Sequence, residues 1–81
     1  MTGRAKIPPE LYRLTKSQTL IVIDESALGM ENSIIAKRIL IDRWAHADIA
    51  AELGYDRSAV SHRIPAIYER LIFIANKLNI E

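Results

Sequence analysis

The sequence predicts a single all-α domain of four or five helices, with a long, proline-kinked helix at its C-terminal end. Three observations carry this. Val60, Ile64, Ile67, Leu71, Ile74 and Leu78 recur at three- and four-residue intervals, the period of one buried helix face. Gly54 and Asp56 stand between two helical patterns and leave about three residues to connect them. The strongest β-branched run, Leu20 to Ile23 (LIVI), has no second run elsewhere with which to form a hairpin.

The elements follow in order. Pro8-Pro9 cannot sit inside a helix, so residues 1–14 are expected to form an arm carrying Arg4, Lys6 and Arg13. Leu11, Tyr12 and Leu14 supply a short anchoring turn. Thr15 and Gln18 fit a capping box and start a first helix over about Lys16–Leu28. Asn32 is a good N-cap for a second helix over about Ser33–Ala45, apolar on most sides, with Trp44 anchoring the core near its end. Ile49, Ala50 and Leu53 mark a short helix ending at Gly54, whose N-terminus His46 helps to cap. Asp56 caps the last helix, which starts near Arg57. The single domain then spans 15–81, with the two-helix motif at about 46–64 and an assembly helix at about 66–79.

Composition narrows the function classes. With 81 residues there is room for one domain. The 49% hydrophobic content argues against disorder and is high for so small a chain, which points to apolar surface covered by a partner. There is no cysteine, hence no disulfide framework and no thiolate metal site. Two isolated histidines, His46 and His62, give no metal-ligand spacing, and no cofactor is implied. Asp24-Glu25 reads as a solvated helix face rather than an acid–base pair, and Trp44 and Tyr68 as core rather than stacking platforms. Without a nucleophile–base pair, a metal cluster or a phosphate-cradling loop, no enzyme is expected. No leader or membrane-length apolar run is visible, so the expectation is a cytoplasmic protein. The net charge of +1 is low for a nucleic-acid binder.

The two-helix motif has the parts a helix-turn-helix needs. Ala50 is small enough to let the second helix cross closely. Gly54 suits a turn with positive φ, and Ile49, Leu53, Val60 and Ile64 pin both helices to a third. The stretch ADIAAELGYDRSAVSHRIPAIYERL, about Ala47–Leu71, resembles the helix-turn-helix of sigma-factor region 4 and of LuxR-type response regulators. Its closing IYERL is similar to the corresponding element of LuxR-type domains. The stretch also resembles small sigma-like helix-turn-helix proteins of prophages and gut Firmicutes. The chain departs from these families at Pro65, in its near-neutral charge and in lacking the other sigma regions, so a full sigma factor is not expected.

The resemblance implies double-stranded promoter or operator DNA as the ligand. At 100° per residue, Ser58, Ser61, His62, Pro65 and Glu69 lie opposite or beside the core stripe, and Arg57 projects from the first turn. Because the N-terminal part of a recognition helix reaches base edges, Arg57, Ser58, Ser61 and His62 are the expected base contacts. Arg63, Arg43, Lys37 and Arg38 are the expected phosphate contacts, with Arg4 and Lys6 on the arm. Pro65 is expected to bend the helix, convex toward DNA, so that its C-terminal portion swings away.

Ala66, Phe73 and Ile80, spaced by seven, lie nearly opposite the core stripe, with Ile72 on its flank. A helix apolar on two sides has something on both. The expected interface is a homodimer; the alternative is the N-terminal segment folding back over Phe73. The functional expectation is a sequence-specific transcriptional regulator acting as a dimer on a palindromic site. The alternatives are a protein-interaction module engaging RNA polymerase or a sigma factor without reading DNA, and a phage DNA-packaging subunit.

Overall fold

Five helices follow one another along the chain in the computed structural model, which describes residues 6–79. They are α1 (Pro9–Tyr12), α2 (Lys16–Glu25), α3 (Met30–Leu40), α4 (His46–Leu53) and α5 (Arg57–Leu78). All five elements are helical, as the sequence predicts, and α5 is the long C-terminal helix. None of the helices among the described residues is long and apolar enough to cross a membrane.

The N-terminal segment expected as an arm is packed from Ile7 onward, where Ile7 is half-buried against the core. Pro9 opens α1 at its first position, where a missing N–H costs nothing. Leu11 and Leu14 are buried in the common core. Thr15 and Gln18 form the reciprocal capping box and start α2 at Lys16.

Two helices stop or start away from their expected boundaries. α2 was expected to reach Leu28 but ends at Glu25. The buried Ser26 hydroxyl donates back to the Val22 carbonyl at 2.6 Å, and Ala27 turns left-handed at φ 51°. The Ser26 carbonyl is taken by Arg70 Nε at 3.1 Å, so a side chain of α5 replaces the next helical N–H. α3 begins at Met30 rather than Ser33, behind Gly29 at φ 90° and ψ 163°, a conformation essentially confined to glycine. Asn32 is therefore not its N-cap. α3 also ends at Leu40 rather than Ala45, because Arg43 sits at φ 62° and Trp44 N–H donates to the Arg38 carbonyl at 2.9 Å.

The core is built mostly of Ile, Leu and Val. Val22, Ile35, Ile39, Ile49, Val60 and Leu71 are completely or almost completely buried, so α2, α3, α4 and α5 all contribute to one cluster. Trp44 is half-buried against this cluster rather than inside it, and Arg38 covers its ring at 4.6 Å.

Along α5, Val60, Ile64, Ile67, Leu71 and Ile74 are buried, which holds the predicted stripe in register on both sides of Pro65. The helix is one element across the proline, with no chain reversal there. Pro65 itself is exposed. Its ring removes one N–H, and the carbonyl of Ser61 loses its helical donor on the watered side. The stripe ends earlier than expected: Leu78 is 40% exposed, Ala75 is buried instead, and Asn79 closes the helix left-handed at φ 57°.

Candidate nucleic-acid interface

α4, three connecting residues and α5 form the helix-turn-helix. Gly54 caps α4 in the left-handed region at φ 78°, and Tyr55 N–H closes on the Ala50 carbonyl at 2.9 Å. Asp56 occupies the N-cap position of α5, but its carboxylate makes no capping hydrogen bond.

Two arginine-centred networks tie this motif to α3. Arg38 donates from Nε and Nη2 to the two carboxylate oxygens of Glu52 at 2.9 and 3.0 Å, a bidentate pair joining α3 to the end of α4. Its Nη1 also reaches Asp42 at 2.9 Å. The carboxylates of Glu52 first, then Asp42, push the Arg38 pKa upward. At the start of α3, the Tyr55 hydroxyl lies 2.7 and 2.9 Å from the Glu31 carboxylate oxygens. Arg63 Nη1 donates to Glu31 at 3.0 Å and to Asn32 at 3.3 Å, and the guanidinium lies 5.2 Å from the Tyr55 ring centroid. The Tyr55 hydrogen bond first, then Arg63, holds the Glu31 carboxyl below its ordinary range, and Glu31 in turn raises Arg63. The turn and the side of α5 are thereby fixed to α3.

These networks separate the residues expected at phosphates. Arg38 and Arg63 spend their guanidinium groups on carboxylates within the fold. Arg43 is past the end of α3, and its guanidinium lies 4.6 Å over the exposed ring of Tyr12. Lys37 is exposed on α3 without an ion pair among the described residues. On the arm, Lys6 is exposed, while Arg4 lies outside the described residues.

The residues expected at base edges divide as well. Arg57, Ser58 and His62 are exposed on the first two turns of α5. Ser61 is half-buried, with its hydroxyl 2.9 Å from His46 Nδ1. His46 is thus a tie between α4 and α5 rather than a helix cap. Its Nε2 is buried without a hydrogen-bond partner. Burial first, and the positive charge of Arg57 second, lower the His46 pKa. Tyr68 is half-buried against the core with its hydroxyl unpaired, and burial raises its pKa.

On the side of α5 away from the core stripe, Ala66 is exposed and Phe73 is 55% exposed, with Ile72 half-buried on the stripe's flank. Arg70 lies 5.9 Å from the Phe73 ring centroid on one side. α1 packs against α5, and Phe73 remains more than half exposed with the described N-terminal residues in place. Ile80 lies outside the described residues.

The Arg38–Asp42 pair is legible in the sequence as an i, i+4 contact. The Glu31–Tyr55–Arg63 and Arg38–Glu52 contacts were missed, because they join helices 14 to 32 positions apart and carry no local spacing signal. In comparisons with protein-family models, curated proteins and solved structures, no significant match to this chain is found.

Proposed function

We propose that this protein is a sequence-specific DNA-binding regulator that acts as a dimer, with the first two turns of α5 as its reading element. The observation that carries this reading is the exposure of Arg57, Ser58 and His62 at the N-terminus of a helix whose approach is fixed by α4 and α3. A rigid platform presenting short polar side chains is what groove recognition requires, since base contacts demand placement to within a fraction of an ångström. Arg57 is suited to guanine, whose O6 and N7 accept a bidentate pair, while Ser58 and His62 supply adaptable donors and acceptors. Ser61 acts through His46, holding α5 against α4. Lys37 and Arg43 contribute to phosphate contact. Occupancy of a promoter site would block or recruit polymerase. With a net charge of +1, one copy gains little from counterion release, so two copies on one site supply the affinity.

One observation favours a second reading. Arg38 and Arg63 are committed to Glu52 and Glu31, which leaves few free cations beside the reading turn. A protein-interaction module that engages polymerase or a sigma factor through the same surface fits that restraint. Retention of genomic DNA fragments at low and moderate salt tests the primary reading. Selective retention, weakened by Arg57→Ala in a folded protein, supports it. Folded protein that retains no fragment overturns it and leaves the interaction module.

A further inference from the structure

The exposed apolar arc of α5 has a charge pattern that specifies its own partner. Glu69 stands four residues before Phe73 and Lys77 four residues after it, so both flank the exposed ring on one helix face. Glu69 and Lys77 are exposed, and neither has an ion pair among the described residues. They are eight residues apart on one helix and cannot reach each other. Reversing the helix about Phe73 exchanges their positions. A second α5 laid antiparallel on the first, with the two Phe73 rings at the centre, sets Glu69 of each copy beside Lys77 of the other. The small side chain of exposed Ala66 leaves room on the same arc for close approach.

We infer that the occupant of this face is a second copy of the chain, paired antiparallel through Phe73 with two symmetric Glu69–Lys77 contacts. The inference deepens the dimer in the function proposed above by giving it a register. Its geometry also agrees with recognition of two half-sites. At 100° per residue, Arg57, Ser58, Ser61 and His62 centre about a quarter-turn around α5 from Ala66 and Phe73. In a two-fold antiparallel pair, the direction at right angles to both the helices and the contact is the two-fold axis itself. Side chains pointing along it emerge on the same side in both copies. The reading turns, about 13 residues from Phe73, lie about 20 Å from that axis, which sets them about 40 Å apart for parallel axes. Crossing the helices at about 50° shortens this to about 35 Å, one turn of B-DNA.

The pairing needs no DNA, so sedimentation of the full chain at tens of micromolar tests it separately from DNA reading. The expected result is a dimer that Glu69→Lys or Lys77→Glu each weakens by about tenfold, since each places two like-charge contacts in the interface. The combined variant Glu69→Lys with Lys77→Glu should recover the dimer, and the differences should shrink in high salt. Circular dichroism confirms that each variant is folded, as expected for exposed positions. A monomeric parent protein overturns the inference and assigns Phe73 to a different protein. A double variant no better than the singles overturns the register. Dimerisation without DNA retention leaves the pairing standing and removes the DNA reading.

Discussion

The two halves of α5 share one buried stripe and differ in the apolar surface they show to solvent. Before Pro65 the exposed surface is polar, with Arg57, Ser58 and His62, and it is braced from outside by Arg63 and by the His46–Ser61 contact. After Pro65 the exposed surface carries Phe73 between opposite charges, and Arg70 reaches back to cap α2. The first half is held still by its neighbours and leaves its tips free. The second half leaves an aromatic ring in water, which a small domain tolerates best when a partner removes it. On the function proposed above, one continuous helix would link a presenting end to a docking end, coupled through the buried stripe.

The largest effect is expected in the buried stripe that the halves share. Leu71 is completely buried, so Leu71→Ala should cost about 3 kcal/mol of folding stability through lost burial and the cavity left behind. Chemical denaturation measures this, and both DNA retention and self-association should fail together as the folded fraction falls. A loss of one activity with the other intact would break the idea that the stripe couples them.

Variants at the two ends should separate what Leu71→Ala joins. Arg57→Ala combined with His62→Ala removes exposed side chains only and should leave thermal stability unchanged. Fragment retention should drop by tenfold or more, with sedimentation unaltered. Phe73→Ser should do the reverse at low protein concentration, abolishing self-association first and weakening DNA retention only through loss of the second copy. If Arg57→Ala with His62→Ala altered self-association instead, the division at Pro65 would be wrong.

How much of this was legible in the sequence follows the range of the interactions. The capping box at Thr15, the left-handed turn at Gly54 and the stripe through Ile74 are local patterns, and each stands where the residues predict it. The ends of α2 and α3 were misplaced because they are set from outside the helix. Arg70 replaces the next N–H of α2 from 44 residues away, and Trp44 folds back on the Arg38 carbonyl. Among the site residues, exposure of Ser58 and His62 follows from helical period, and that of Arg57 from its place in the first turn. The pairing of Arg38 and Arg63 does not, since a charge read from a sequence carries no record of the carboxylate it meets in the fold.

The turn between α4 and α5 offers a sharper test of the presenting end. A methyl group at Gly54 would meet nothing within 4 Å, so the only penalty for Gly54→Ala is the left-handed backbone at φ 78°. The expected cost is about 1 kcal/mol, and Gly54→Asn should recover much of it because asparagine tolerates this region. Thermal melts of the two variants should therefore rank Asn above Ala, with self-association equal in both. Equal melting of parent and alanine variant would show that the turn relaxes away from the left-handed state, and that α4 does not fix the approach of α5.

The smallest expected effect is a pH dependence confined to the presenting end. His46 is held neutral by burial and by Arg57, so its folded pKa lies below the unfolded value of about 6.5. The folded state then binds fewer protons than the unfolded one in this range, and stability must fall as pH drops below about 6.5. The full contribution is present above that value. Asn is the informative replacement, because its amide can still bond Ser61 but does not titrate. Melting temperatures of parent and His46→Asn should differ little in slope above pH 7 and diverge below about 6.5, the parent falling faster. Parallel profiles across the range would mean that His46 does not hold α4 to α5 as a neutral ring. Self-association through Phe73, about 18 Å along the helix from Ser61, should show no such difference between the two proteins.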